Sequence, residues 1–184
     1  MFWLIWVLIV FALIVIFAFI VYFNKFVILG NRIDNALSQI DVQLRKRADL
    51  VPNLIATVKG YVKHEQAMIT KVTEARKALL QATSFEKRVK AGNQLQTALK
   101  SIFALAENYP QLKANENFLQ LQEELSAIED KVAYSRQFYN DSILDYNNSV
   151  KSFPGNVFAS IYNKKEKPYL EIPAEMRAVP KISF

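Results

Sequence analysis

The sequence contains no cysteine, one histidine, four glycines and six prolines among its 184 residues. The absence of cysteine excludes disulfide bonds, thiolate zinc sites and cysteine nucleophiles. The shortage of glycine and proline argues against a sheet with many tight turns and favours long uninterrupted helices. A chain of this length has room for one membrane segment and one domain with a hydrophobic core.

Positive charge is in excess, and it is distributed unevenly along the chain. The formal net charge is +6, with +5 in residues 25–82 and −3 in residues 111–153. Two such stretches attract each other when they pack in one helical bundle, and no basic run is interleaved with aromatic residues as a stacking platform for nucleic acid requires. We therefore expect no nucleic-acid partner.

An uncharged apolar stretch occupies residues 2–23. As a helix it would span roughly 33 Å, which matches the hydrocarbon core of a bilayer. Trp3, Trp6 and Tyr22 lie near its ends, where amphipathic rings favour the headgroup boundary. A signal peptide would need a basic start and a small-residue cleavage site, and a buried helix would not be apolar on every face. The sequence predicts a transmembrane anchor over residues 1–24, in contact with lipid through residues 2–23.

Basic residues follow this stretch and none precedes it. Lys25 and Arg32 come directly after it, and Arg45, Lys46 and Arg47 follow further along. Because lysine and arginine are retained on the cytoplasmic side of a membrane, we expect the N-terminus outside and the C-terminal domain in the cytoplasm.

A seven-residue apolar repeat, which we call the apolar stripe, runs through the next segment. It consists of Ile33, Leu37, Ile40, Leu44, Val51, Leu54, Val58, Tyr61, Met68, Val72, Ala75 and Leu79. This spacing predicts a helix over residues 31–82 that packs against other helices as in a coiled coil. The phase is unchanged across Pro52, so we expect a kink there, with a two-helix hairpin as the alternative. The stripe begins so soon after Phe23 that the two helices should be almost continuous.

Two further helices are predicted downstream. The first covers residues 85–108 with Ser84 as its N-cap, and the second covers residues 115–152 and ends at Phe153-Pro154-Gly155. An apolar patch over residues 157–162 is expected to form a half-turn that packs back on the bundle.

The predicted fold class is all-α. It has one N-terminal transmembrane helix followed by an elongated antiparallel bundle of three to four long helices. The domains are expected to be the anchor over residues 1–24, a cytoplasmic bundle over residues 25–163 and an extended, proline-containing tail over residues 164–184.

No residues in the sequence form a pattern typical of catalysis, cofactor binding or metal binding. His64 is the one imidazole, and it lies beside Glu65 as surface residues often do. The acidic pairs Glu123-Glu124 and Glu129-Asp130 are adjacent in sequence, so their carboxylates diverge around a helix. We expect a protein that is not an enzyme and has neither a cofactor nor a small-molecule substrate.

Arg47 differs from the other charged residues because it occupies a position of the apolar stripe. An arginine there should be paired or should meet a subunit contact, since an unpaired buried charge is costly. The first helix is also longer than the next two can flank. Both observations suggest a homo-oligomer.

Several segments of the chain resemble the LemA family. They are NRIDNALSQIDVQLRKRADLVPNLIATVKGYVKHE (31–65), YPQLKANENFLQLQEEL (109–125), Arg136 and Tyr139-Asn140 of SRQFYN, Tyr146-Asn147, Phe153-Pro154 and the terminal PKISF. The resemblance implies a bacterial protein of the cytoplasmic (inner) membrane with a single span and a cytoplasmic bundle of long helices. It carries over no active-site residues.

Two functions agree with these observations. The first is a membrane-anchored, non-catalytic scaffold or assembly protein that self-associates at the membrane. The alternative is a monomeric signalling or regulatory adaptor that binds a cytoplasmic partner through a helical face.

Overall fold

A computed structural model describes residues 2–62 and 65–170. His64 and the tail beyond Leu170, with Pro173, Pro180 and the PKISF motif, lie outside the described residues. Six helices are present in this part of the chain: α1 (Phe2–Lys59), α2 (Gln66–Gln81), α3 (Phe85–Ala106), α4 (Pro110–Lys113), α5 (Glu116–Lys151) and α6 (Gly155–Ile161). The described residues contain no strand, and the predicted all-α class is confirmed.

Helix α1 begins in the apolar stretch and continues into the apolar stripe. It runs from Phe2 to Lys59 without interruption, which confirms the expected continuity. Its most apolar 18-residue window has a mean hydropathy of 3.4 and contains no buried residue. A helix that is apolar on all faces is stable when it is surrounded by a protein core or by lipid. Because the described residues of the protein do not cover this part of α1, lipid is the remaining environment. The N-terminal part of α1 is therefore a candidate membrane span.

The prediction of one helix over residues 31–82 is wrong. Helix α1 ends at Lys59, and a turn at Gly60 and Tyr61 leads to α2, which begins at Gln66. Glycine is a poor helix former, and the neighbouring Val58 and Val62 lose side-chain freedom in a helix. The buried positions also depart from the apolar stripe here, because Tyr61, a member of the stripe, is exposed and its neighbour Val62 is buried. The seven-residue repeat in the sequence therefore continues past Gly60 only by coincidence.

Pro52 lies inside α1, and the helix continues through it. A proline has no backbone N–H, so the carbonyl of Ala48, four residues earlier, loses its helical partner. Arg76 of α2 supplies a replacement, since its Nε donates a hydrogen bond to the Ala48 oxygen at 2.8 Å. Ala48 is fully buried, so water cannot take this place. The predicted kink at Pro52 stays a prediction.

The chain divides into two compact units. Among the described residues, the first unit comprises residues 2–36 and 136–170, and the second comprises residues 37–62 and 65–135. Because Arg76 and Ala48 lie about equally far from the turn after Lys59, α2 runs antiparallel to the second-unit part of α1.

The second unit adds α3 and the first half of α5 to this hairpin. Arg88 of α3 forms an ion pair with Asp41 of α1 at 2.8 Å, and the next turn of α3 brings Gly92 against Leu44. These two contacts advance together along both helices, so α3 runs parallel to α1. A Cβ at Gly92 would lie only 2.6 Å from the Leu44 side chain, which explains the glycine.

The first half of α5 runs antiparallel to α3. Near its start, the ring of Phe118 contacts that of Phe103 at 5.8 Å between centroids. Further along α5, Glu129 accepts a hydrogen bond from Gln96, so sequence numbers rise on one helix as they fall on the other. The elongated bundle predicted for the whole chain stays a prediction.

The helix ends agree with the predicted caps. The Ser84 hydroxyl accepts a hydrogen bond from the Lys87 amide at 3.3 Å, which confirms the N-cap of α3. The Asn115 side chain accepts one from the Phe118 amide at 3.0 Å and caps α5 in the same way. The short helix α4 was not predicted.

The core of the second unit consists mainly of aliphatic side chains from α1, α2, α3 and α5, and it also includes Leu112 of α4 and the Phe118 ring. Its most deeply buried members include Ile40, Leu44, Val51, Leu54, Val58, Val72, Leu95, Leu99, Ile102, Leu125 and Val132. Arg47 is buried among them with 2% of its surface exposed. The stripe position therefore predicted its burial correctly, and the expected contact with another subunit stays a prediction.

Candidate functional site

The first unit joins the C-terminal end of the apolar stretch to the end of α5, to α6 and to residues 164–170, which we call the tail segment. The residues of the Tyr139-Asn140, Tyr146-Asn147 and Phe153-Pro154 motifs all lie in this unit. It is therefore the candidate functional site.

Six aromatic rings join α6 to α1, and we call them the aromatic junction: Phe19, Tyr22, Phe23, Phe26, Phe158 and Tyr162. The Phe158 ring stacks on Tyr22 at 4.6 Å between centroids and meets Phe19 edge-on at 5.0 Å. The Tyr162 hydroxyl donates a hydrogen bond to the Phe19 carbonyl at 2.8 Å. Such ring pairs contribute about 0.5–1.5 kcal/mol each beyond burial. The end of the candidate span is thus packed into the first unit.

Gly155 allows α6 to approach the rest of the unit closely. A Cβ at this position would overlap the Ser149 carbonyl oxygen and lie 3.3 Å from a ring carbon of Tyr22. Most of the patch over residues 157–162 lies in the seven-residue helix α6, which ends at Ile161, where the sequence predicted a half-turn. It packs against the end of the candidate span and not only on the helices that follow it.

Two asparagines of α5 hold the tail segment, and we call them the asparagine clamp. Asn147 accepts a hydrogen bond from the Lys167 amide at 2.9 Å and donates one to the Lys167 carbonyl at 2.9 Å. Asn140 makes the same pair of bonds to Leu170, accepting at 2.9 Å and donating at 3.2 Å. Each side-chain amide therefore satisfies both backbone groups of one residue, as a neighbouring strand would.

The spacing of the clamp matches the repeat of an extended chain. Asn140 and Asn147 are two helical turns apart, which is about 10.5 Å along α5. Lys167 and Leu170 are three residues apart, which is roughly 9–10 Å in an extended or polyproline II segment. Pro168 between them favours that conformation. The clamp therefore binds only backbone groups, and these four hydrogen bonds do not depend on the side chains of Lys167 and Leu170.

Side chains add to the hold on the tail segment. The Lys167 ammonium lies 5.4 Å from the centroid of the Tyr146 ring, and Glu166 pairs with Lys151 at 2.8 Å. Burial raises the pKa of the Tyr146 phenol, so this ring stays neutral. The hydrogen bond from Lys151 to Glu166 raises the pKa of that ammonium, so it stays charged.

A cavity of about 680 Å³ opens between α1 and α5 just after the apolar stretch. Lys25 and Arg32 of α1 and Asp145 of α5 are the charged residues in its lining. Among the described residues, no carboxylate lies within ion-pair distance of either cation. Lys25 instead lies 5.9 Å from the Tyr22 ring centroid. The cavity is therefore positively charged at the end of the candidate span.

The charged residues singled out from the sequence do not converge on one site. Glu129 accepts a hydrogen bond from Gln96 and lies 3.6 Å from the Lys100 ammonium, and Glu124 accepts one from Gln120. No group of three histidine, cysteine, aspartate or glutamate residues that could hold a metal ion occurs in the described ranges. Arg47 lies in the second unit as well.

The asparagine clamp was not predicted from the sequence. The signal was present, because the dipeptide Tyr-Asn occurs at 139–140 and again seven residues later at 146–147. Two asparagines that are two helical turns apart on one helix have the spacing needed to bind an extended chain at two of its residues. Recognising its target also requires the position of the tail, which no local pattern gives.

The comparisons with known proteins agree with the motifs. The model of the LemA family matches residues 36–184. Protein LemA of Metamycoplasma hominis is 27% identical over 140 residues, which is 72% of this chain and 63% of that protein.

Two magnetosome proteins are also similar. Magnetosome protein MamQ of Magnetospirillum gryphiswaldense is 22% identical over 83% of this chain and 66% of its own length. Magnetosome protein MamQ 2 of Paramagnetospirillum magneticum is 21% identical over 81% of this chain and 64% of its own length. The matches thus span slightly less than two thirds of the lengths of these relatives. None of the names denotes an enzyme class.

Proposed function

The chain belongs to the LemA family, and from this membership and the site we propose that it is a membrane-anchored, non-catalytic scaffold that self-associates at the membrane. The observation that carries the proposal is the aromatic junction. A flexible tether would leave the end of the span free, whereas here Phe158 and Tyr162 pack on it. The anchor is therefore a structural part of the first unit.

The proposed location is the bacterial cytoplasmic membrane, crossed once by residues 2–23 with the C-terminal domain in the cytoplasm. Lys25 and Arg32 support this orientation, since both follow the span and line one exposed cavity. A reporter enzyme fused at either end of the full chain tests it. Activity of a periplasmic reporter fused to the C-terminus would contradict the orientation.

Self-association is supported by large apolar side chains that the second unit leaves exposed. On α5, Tyr134 is 67% exposed and Leu119 is 48% exposed. Exposed aromatic and aliphatic side chains are typical of protein contacts. The similarity to two proteins that are named magnetosome proteins is consistent with the same function.

The oligomeric state of the full-length protein tests the scaffold. We expect native mass measurements in detergent and in nanodiscs to show defined oligomers, and a Tyr134→Ser variant to shift them toward monomer. The matched control is Gln120→Ser, an exposed polar position on the same helix. A protein that remains monomeric at every concentration would rule out the self-association.

The asparagine clamp favours a second candidate, an adaptor that is itself monomeric. A clamp that binds backbone groups could hold an extended partner segment in place of the tail segment. Crosslinking in cells separates the two functions. Crosslinks between copies support the scaffold, and a stoichiometric foreign partner supports the adaptor.

A further inference from the structure

The outward side of α6 and its preceding turn carries an apolar row. Phe153 is 83% exposed, Val157 is 49% exposed and Ile161 is 56% exposed. We call these three residues the apolar edge. Val157 and Ile161 are one helical turn apart, so they lie on the same face of α6. A contiguous exposed apolar row of this kind is typical of a surface that contacts a protein or a membrane.

A polar row lies beside the apolar edge. Asn156 and Ser160 are both exposed and are also one turn apart, about 100° around the helix from Val157 and Ile161. The remaining side of α6 is buried through Phe158 and Ala159. The exposed surface of α6 is therefore divided into an apolar half and a polar half, as in helices that lie in a membrane interface.

The aromatic junction fixes the depth of α6 along α1. Phe158 and Tyr162 both contact Phe19, through a ring pair at 5.0 Å and a hydrogen bond at 2.8 Å. Phe19 precedes Phe23, the end of the apolar stretch, by about 6 Å along the helix axis. If residues 2–23 span the bilayer, α6 reaches the hydrocarbon boundary, and its apolar edge lies at that level.

We propose that α6 is a second membrane contact, in which lipid acyl chains of the bilayer that holds the span cover the apolar edge. The continuity with the span identifies the occupant. The polar row faces the headgroups and water. Lys164 and Lys165, both exposed, follow α6 directly and suit anionic headgroups. This inference rests on the proposed function, since it requires residues 2–23 to be in the membrane.

Single-cysteine labelling of the full-length protein tests this contact. The natural chain has no cysteine, so each label occupies one site. Val157→Cys and Ile161→Cys report on the apolar edge, and Asn156→Cys and Ser160→Cys are matched controls on the same helix. All four side chains are exposed, so a label does not disturb the core. Each variant carries a fluorescent label in vesicles of phosphatidylcholine and phosphatidylglycerol.

We expect quenchers on the lipid acyl chains to reduce fluorescence from the apolar edge at least about twofold more than fluorescence from the polar row, since such helices insert about 5–10 Å. Aqueous iodide should show the opposite preference. Equal access of water to all four labels would overturn the proposal. Quenching of the apolar edge by a second labelled copy, in vesicles without lipid quencher, would identify that copy as the occupant and overturn it too.

A label in the span separates this inference from the proposed function. Val10→Cys lies in the middle of the apolar stretch and should be quenched by lipid in either case. If Val10→Cys is quenched and Val157→Cys is not, the α6 contact is wrong and the anchor stands. If neither is quenched, the membrane anchor itself is wrong and the inference falls with it.

Discussion

The passage of α1 through Pro52 depends on one side chain from another helix. Arg76 donates a hydrogen bond to the Ala48 carbonyl at 2.8 Å, and this carbonyl is the one that Pro52 leaves without a helical donor. A hydrogen bond from a charged donor contributes about 1.5–3 kcal/mol. Because Ala48 is fully buried, Arg76→Met should lower the free energy of unfolding by about that amount.

A double-mutant cycle isolates this bond. Pro52→Ala restores the missing backbone N–H, which can then bond to the Ala48 carbonyl within α1. In that background Arg76→Met should cost only about 0.5 kcal/mol, as a surface substitution does. The expected coupling energy is therefore roughly 1–2.5 kcal/mol.

The free energies come from guanidinium unfolding of the full-length protein in detergent, followed by far-ultraviolet circular dichroism. Lys77→Met is the matched control, because Lys77 is the next residue on α2 and is exposed. It should cost little in both backgrounds. If Arg76→Met costs the same with and without Pro52, with a coupling energy below about 0.5 kcal/mol, the reasoning is refuted.

Three further substitutions test other contacts. Asn147→Ala should remove two clamp bonds and speed amide exchange in the tail segment about tenfold or more, since each bond contributes about 1 kcal/mol. Asn148→Ala, an exposed neighbour, should leave that exchange unchanged; equal effects would exclude the clamp. Gly155→Ala should lower the melting temperature because its Cβ overlaps the Ser149 carbonyl, whereas Gly30→Ala, with open space around it, should raise it. A higher melting temperature for both variants would contradict the close packing of α6. Arg47→Met should lower the free energy of unfolding by about 3–5 kcal/mol, because it removes one member of a buried charged contact and leaves the other unpaired. An unchanged free energy of unfolding would contradict a structural role for this side chain.

Local sequence determined the helices and their capped ends. The uncharged run over residues 2–23 and the Ser84 cap act through properties of one segment, so a pattern reveals them without knowledge of the rest. The stripe also predicted the burial of Arg47 for this reason. The same reasoning failed at Gly60, since a break in one helix does not interrupt a repeat that continues by chance in the next.

Tertiary structure decided what the helices bind. Pro52 stays inside α1 in contact with an arginine from another helix, and the Tyr-Asn repeat holds a segment that lies 20–30 residues further along the chain. The packing of Phe158 on Phe19 joins residues more than one hundred positions apart. Contacts of this kind depend on where the chain returns, and no periodicity within one segment encodes that.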